Sequence, residues 1–317
     1  MLLEKLKKIL PNSDKEYPAD FQNIIDNLFH KSEPDNDKVL FIWNAYCFSQ
    51  KAHDGQLRKS GKPYFTHCAS VGVTLSKWNM DASTVAAGLL HDVIEDTNVT
   101  REEMVDKFGV EVTELVDGVS KLSGIKFSSR LEKQAENFMK MFLSVAKDLR
   151  VIIIKFADRL HNMTTIKHLS LIKQRRIAIE TRDVYAPLAH RLGMNRLKIE
   201  LEDLVLKTLE PVEYRKLQKK IKATKKQREK YIEEFTSPIT LELEKFNIKS
   251  DIKGRAKHYF SILGKMRTRN RTFEELFDLF AIRIIIDKVE ECYAVLGVVH
   301  QLFTPLQERF KDYIATP

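Results

Sequence analysis

"LLHDVIEDT" (Leu89–Thr97) sets two candidate metal ligands side by side and two further carboxylates one helical turn on. It reads as the C-terminal part of an amphipathic helix beginning near Asp81, with polar side chains where the apolar stripe should continue. Adjacent helical residues point about 100° apart, so His91 and Asp92 share an ion only if it lies beside the helix and other segments complete the shell. Glu95 and Asp96 stack four residues beyond His91 and Asp92, where a proton-transfer group is useful.

Two other segments offer donors. His67 closes "RKSGKPYFTH" (Arg58–His67), and Asp158 sits in "DLRVIIIKFADRLHNMTTI" (Asp148–Ile166). The second stretch is densely apolar but contains no turn residue, so it reads as a buried helix. An unpaired carboxylate is costly to bury there, and Asn162 lies one turn along from Asp158 on the same face. A lone helical histidine is more often a hydrogen-bonded core residue than a ligand, and a His-Asp pair arises by chance. The set is what points to a hydrolytic metal centre. Mixed nitrogen and oxygen donors without a thiolate favour Mn²⁺, with Zn²⁺, Fe²⁺ or Co²⁺ open. Such an ion can lower the pKa of a water and neutralise charge on phosphate. The Ser-Gly turn carrying Arg58, Lys59 and Lys62 suits phosphates or a stacked base, against the plainer reading of a basic surface loop.

Composition bounds the rest. The chain has 317 residues, 43% of them hydrophobic, which is enough for two domains. Only 11 Gly and 9 Pro point to a helix-rich protein. Cys47, Cys68 and Cys292 show no paired spacing, so a reducing cytosolic compartment is expected. No apolar run reaches the length of a membrane span, and "MLLEKLKKIL" lacks the unbroken apolar stretch of a secretory signal. A soluble, cytoplasmic protein with no membrane partner is expected. The net charge of +9 fits an anionic partner, nucleic acid or a phosphorylated small molecule. Much of the excess lies in "RKLQKKIKATKKQREK" (Arg215–Lys230), read as a solvated connector helix in preference to an RNA contact.

Residues from about 20 to 200 read almost wholly as helices. Thr100-Arg-Glu-Glu103 opens one with a capping-box pattern, and Met104, Phe108 and Val112 follow at helical spacing. Arg176 to about Leu209 continues helically, with breaks near Pro187 and Gly193. After about residue 236 the pattern changes. "NIKSDIKGR" is a strand and turn, Ala256–Thr268 and Phe273–Phe280 are helical, "AIRIIID" (Ala281–Asp287) is a strand, and a helix follows near Tyr293–Leu302. This predicts an α/β domain with two strands, too few to cover a sheet on both faces. Arg255 precedes a helix on which Lys257, Ser261 and Lys265 fall at four-residue steps, a basic row suited to a triphosphate. Asp278 could hold Mg²⁺ against those phosphates, and Arg309 and Lys311 add positive charge.

Six stretches, Arg58–His67, Leu89–Thr97, Phe156–Met163, "YAPLAHRLGM" (Tyr185–Met194), Ile252–Lys265 and "RFKDYIATP" (Arg309–Pro317), occur in order. Together they closely resemble the long Rel/SpoT family, bifunctional synthetase–hydrolases of the stringent-response alarmone (p)ppGpp. The resemblance implies a mainly α protein: an N-terminal all-helical HD-type hydrolase domain (1–200), a basic helical connector (201–240), and an incomplete α/β nucleotidyltransferase-like synthetase domain (241–317). It implies Mn²⁺ held by His67, His91, Asp92 and Asp158, with Glu95 and Asp96 as the acidic pair that activates water. Arg58, Lys59, Asn162 and Thr165 would surround the guanosine nucleotide. On the synthetase side it implies ATP at Arg255, Lys257, Ser261 and Lys265, Mg²⁺ at Asp278, and Lys311 near the acceptor.

Family synthetase domains continue past "RFKDYIATP" to a guanine-stacking Tyr and a catalytic Glu, neither of which lies in these residues. The expectation is therefore hydrolysis of (p)ppGpp to GDP or GTP and pyrophosphate. The alternatives are a GTP pyrophosphokinase whose synthetase half is defective here, and a non-catalytic guanosine-nucleotide sensor. A generic HD phosphohydrolase fits the metal motif alone but not Arg58–His67. Any ribosome contact would run through regions absent from this chain.

Overall fold

The computed structural model describes residues 17–30, 33–123, 148–223, 225–256, 258–270, 272–273, 275 and 280–315. The chain separates into two compact units, Met1–Leu209 and Glu210–Pro317. It is mainly helical, and no described helix is long and apolar enough to cross a membrane.

Among the described residues the first unit is built of helices. Its elements are α1 (Ala19–Leu28), α2 (Asn36–Ala52), α3 (Phe65–Lys77), α4 (Ala82–Leu90), the single turn α5 (Val93–Asp96), α6 (Arg101–Ser123) and α7 (Leu149–Thr164). Then come α8 (Leu171–Glu180), α9 (Ala186–Arg191) and α10 (Asn195–Leu209). Aspartates start three of them. The Asp35 carboxylate accepts from the N–H groups of Asp37 and Lys38, Asp81 from Thr84, and Asp148 from Arg150, satisfying donors that a helix start leaves unpaired.

α4 lies at the centre, packed by α2, α3, α6 and α7. Every residue from Thr84 to Leu90 is buried. The amphipathic helix expected from Asp81 through the His-Asp pair is thus corrected twice. It is buried all round, as a core helix is, and it stops at Leu90, with His91 and Asp92 forming a turn before α5. The Gly88 carbonyl explains the stop. A continuing helix would offer it to the Asp92 N–H; here it accepts from His91 Nδ1 at 2.8 Å.

Elsewhere the expectations fare unevenly. Asp148–Ile166 is the buried helix expected, as α7. Thr100 Oγ1 accepts from the Glu103 N–H at 3.2 Å, and Met104, Phe108 and Val112 are buried. α6 kinks at Gly109, whose φ of 80° lies in the region glycine tolerates. Gly193 (φ 74°) breaks the chain between α9 and α10. Pro187 sits in the first turn of α9, and the irregularity precedes it as a widened π turn, Thr181–Tyr185. Proline has no N–H to give the carbonyl four residues back, so the turn ahead of it relaxes.

In the second unit α11 (Pro211–Ala223) and α12 (Lys225–Lys245) carry the basic stretch, helical on both sides of residue 224. β1 (Ser250–Ala256) and β2 (Phe280–Ile286) pair antiparallel, from Ser250 opposite Ile286 to Ala256 opposite Phe280, with α13 (Tyr259–Thr268) between them in sequence and α14 (Val289–Leu302) after. Ile239, Leu243, Val295 and Val298 form a small core against which Ile252, Ile284 and Ile286 pack, while Ile285 points outward as strand alternation requires. The expected helix at Ala256–Thr268 begins at Tyr259, because Ala256 still belongs to β1. That expected at Phe273–Phe280 falls largely outside the described residues, and Phe280 opens β2.

Close approach of α3 and α4 depends on missing side chains. A Cβ on Gly72 would meet Leu89 Cδ2 at 2.8 Å, and one on Gly88 would collide with Leu75. Gly88→Ala gains up to about 1 kcal/mol of helix propensity but costs roughly 1–3 kcal/mol by overpacking. The variant should therefore lose about 1–2 kcal/mol in urea unfolding. Fluorescence can follow this, since Trp43 and Trp78 both lie in the first unit. Wild-type stability in Gly88→Ala would show that the helices are less tightly apposed.

Candidate metal centre

Three segments deliver the donors. His67 comes from the first turn of α3, His91 and Asp92 from the turn that ends α4, and Asp158 from the middle of α7. His67 Nε2 lies 3.3 Å from Asp158 Oδ1 and 3.7 Å from Asp92 Oδ2, and His91 Nε2 lies 3.1 Å from Asp92 Oδ2. One ligand atom each from His67, His91 and Asp158 falls within 4.8 Å of the others. The structure thus brings together the four residues singled out from sequence.

These donors fit a divalent cation. His91 is fully buried, its Nδ1 is spent on the Gly88 carbonyl, and its Nε2, 3.1 Å from Asp92 Oδ2, is not aligned for a hydrogen bond. A buried nitrogen left over and facing carboxylates is what a ligand awaiting a cation looks like. The carboxylates draw positive charge into the centre. Burial opposes the imidazolium of His91, yet the Asp92 carboxylate outweighs it and pushes the pKa up to about 9, so a cation bound there displaces a proton. Burial also works against the charge on Asp92, but the nearby His91 holds its carboxyl below the usual range. For Asp158 burial is likewise overcome, here by the Lys155 ammonium and then His67. Burial lowers the pKa of His67, which favours the neutral ring a metal needs. Cys68, too, comes within reach of His91 and Asp92. Burial and the Asp92 charge push its thiol upward, so it stays protonated and is a poor ligand.

Around the donors runs a closed set of hydrogen bonds. Asn162 Nδ2 donates to Asp158 Oδ1, and Asn162 Oδ1 accepts from Arg58 Nη2 at 2.7 Å. Arg58 Nη1 lies 3.2 Å from His161 Nδ1, which lies 2.7 Å from His67 Nδ1. On the other side Lys155 Nζ donates to Asp158 Oδ2 at 2.7 Å. The Tyr64 hydroxyl is 2.7 Å from Asp92 Oδ2 and 2.8 Å from Asp96 Oδ2. Burial and then Asp92 drive the phenol's pKa up, so it remains a donor. Glu95 and Asp96 are both exposed. The Asp96 backbone carbonyl accepts from Gln56 at 2.8 Å, whereas burial, with the charges of Asp92 and Asp96, raises the pKa of Glu95.

Lys59 is exposed, and the Thr165 hydroxyl is turned back on the His161 carbonyl at 3.0 Å. Sequence reasoning passed over Tyr64, Lys155 and His161, though each lies inside a stretch it quoted. Tyr64 and His161 are adjacent to, or one turn from, assigned residues, and Lys155 stands three before Asp158, the spacing of a helical ion pair.

The second unit is less assembled. Ser261 and Lys265 are half-buried one turn apart on α13, Arg255 lies in β1, and Lys311 is exposed. α13 starts at Tyr259 with His258 as its cap, whereas the basic row needs a helix beginning one turn earlier. Lys257 and Asp278 lie outside the described residues.

A pattern for the HD domain matches residues 45–195, and one described as a region found in RelA / SpoT proteins matches residues 254–317. A GTP pyrophosphokinase of Myxococcus xanthus is 48% identical over 287 residues, 90% of this chain and 38% of that protein. A probable guanosine-3′,5′-bis(diphosphate) 3′-pyrophosphohydrolase of Synechocystis sp. is 45% identical over 309 residues, 96% of this chain and 41% of its own. The bifunctional (p)ppGpp synthase/hydrolase SpoT of Escherichia coli is 44% identical over 281 residues, 89% of this chain and 40% of its own. The chain spans about two-fifths of the length of these relatives.

The ammonium of Lys155 sets the stability of this centre. Lys155→Met leaves the buried Asp158 carboxylate without its ion-pair partner, and removing one partner of a buried pair costs roughly 3–5 kcal/mol. Chelator-treated Lys155→Met should unfold at correspondingly lower urea, and adding Asp158→Asn should recover much of the loss. Equal midpoints for wild type and Lys155→Met would remove the pair from the account of stability.

Proposed function

The chain belongs to the RelA/SpoT family, and on that footing we propose that its first unit hydrolyses the 3′-diphosphate of (p)ppGpp, giving GDP or GTP and pyrophosphate. The observation that carries this reading is the convergence of His67, His91, Asp92 and Asp158, with the buried His91 Nε2 facing Asp92 Oδ2 at 3.1 Å but not aligned for a hydrogen bond. Those four would hold a divalent ion, Mn²⁺ by the chemistry of the donors, and it would supply a water of lowered pKa and neutralise charge on the phosphate.

The protein's own residues would do the rest. Arg58 is half-buried, with Nη1 and Nη2 each engaged once, which leaves other N–H groups of its fork for phosphate oxygens. Lys59, exposed beside it, adds a second positive charge. Asn162 and Thr165 sit one turn apart at the end of α7 on the nucleotide side of the reading. Attack by water on the 3′-linked phosphorus breaks its bond to the ribose 3′ oxygen. The proton lost by the water is taken up by a protein base, and the departing 3′ oxygen ends protonated as a hydroxyl.

Of the two carboxylates that could accept that proton, Glu95 is the better base. The Asp96 carboxylate accepts from Tyr64, whereas burial and the neighbouring carboxylates raise the pKa of Glu95, the direction that strengthens a base. Asp96 then acts through Tyr64 to fix Asp92. The second unit's resemblance to the RelA/SpoT region raises the second reading, pyrophosphate transfer from ATP to GTP or GDP, in the longer relatives.

Incubation with ppGpp and Mn²⁺ should release pyrophosphate. Chelation should stop the release, Mn²⁺ restore it, and Asp92→Ala abolish it; equal turnover by Asp92→Ala would remove the metal assignment. Glu95→Gln should lower kcat by about 10²–10⁴-fold, the usual contribution of a general base. Asp96→Asn should lose less and should weaken Mn²⁺ binding as well. The reverse ranking would exchange the two roles.

A further inference from the structure

His161 has no part in the chemistry above, yet it touches both groups that chemistry relies on. A guanidinium can only donate. Arg58 Nη1 lies 3.2 Å from His161 Nδ1, so that nitrogen carries a lone pair and not a proton. The same nitrogen lies 2.7 Å from His67 Nδ1, and one proton must lie between the two rings. With His161 Nδ1 already the acceptor, the proton belongs to His67 Nδ1. The neutral His161 then carries its own proton on Nε2. The lone pair of His67 is correspondingly on Nε2, the atom that faces Asp158 and Asp92. In the other tautomer of His161, Arg58 would point an N–H at an N–H. Arg58 is itself held by the Asn162 carbonyl oxygen at 2.7 Å and cannot simply turn away.

We propose that His161 is a positioning residue that locks His67 in the Nδ1–H tautomer and joins its orientation to the guanidinium of Arg58. The single lone pair of that ring nitrogen, shared between the two donors, couples the group read as gripping substrate phosphate to a metal ligand. Ligand histidines usually give their second N–H to a carboxylate, a carbonyl or water; here the acceptor is another imidazole whose own geometry a cationic side chain sets. Cation affinity and engagement of Arg58 are then linked, and each shifts the other by the same factor. The inference rests on the metal-centre reading but not on the identity of the substrate.

The first test uses the unaltered protein. Long-range ¹⁵N–¹H correlation on histidine-labelled, zinc-loaded protein should show His161 protonated on Nε2 and His67 on Nδ1. A proton on His161 Nδ1 overturns the proposal. The second test is calorimetric titration with Mn²⁺ alone. His161→Leu should weaken binding about 10–100-fold, the usual cost of losing an outer partner of a ligand. His161→Asn keeps an acceptor near the Nδ1 position and should recover most of that loss. Arg58→Ala should weaken Mn²⁺ binding several-fold in the wild-type background and by less in His161→Leu, where only its route through Asn162 to Asp158 remains. Wild-type affinity in His161→Leu, or Asn no better than Leu, overturns the proposal. Should His161→Leu fail to fold, the tautomers and His161→Asn still decide. Wild-type protein that binds Mn²⁺ but leaves ppGpp intact would refute the hydrolase reading alone. Hydrolysis of ppGpp with unaltered Mn²⁺ affinity in His161→Leu would refute this one alone.

Discussion

Burial of the Asp158 carboxylate is the constraint on which the first unit turns. A carboxylate inside a helical core is costly unless every oxygen is met. Lys155 meets one oxygen and Asn162 the other, beside which His67 Nε2 lies at 3.3 Å. Each of those partners then has requirements of its own. Asn162 must place its amide nitrogen toward the carboxylate, which leaves its oxygen for Arg58. The loop before α3 is thereby drawn onto the end of α7, and His67 is brought in from one side while His91 closes from the other. The position of one charge propagates to three segments far apart in sequence.

The scaffold meets that demand by packing α4 inside the bundle. Glycines at 72 and 88 let α3 and α4 come close, so the imidazole of His67 on α3 and that of His91 just after α4 meet edge to face with ring centroids 5.1 Å apart. Gly88 contributes twice: its missing side chain allows the approach, and its carbonyl orients His91. Packing and chemistry are thus met by the same residue, and little slack remains between them.

Much of this was legible in the sequence because burial leaves marks there. The apolar run around Ile152–Ile154 announced a core helix, and a carboxylate in it announced a partner. The order of six short stretches carried the family and the mainly helical fold. The end of α4 was not legible, since periodicity cannot register a side chain that competes with the backbone for a carbonyl. Nor was the role of Tyr64 or Lys155, whose partners are set by side-chain reach across the fold or along a turn. The start of α13 was misjudged because β1 runs on through Ala256, and strand pairing with Phe280 depends on a segment 24 residues away. Local pattern is blind to what a distant strand claims.

Tyr64 has a consequence of its own. A phenol owns one hydrogen, yet two carboxylates converge on its oxygen. One acid takes that hydrogen and the other turns to solvent, which exposed Asp96 reaches and half-buried Asp92 reaches less. The side chain therefore ties the interior of the centre to its rim. Whatever Asp92 gives up to a cation, Asp96 feels as a firmer grip.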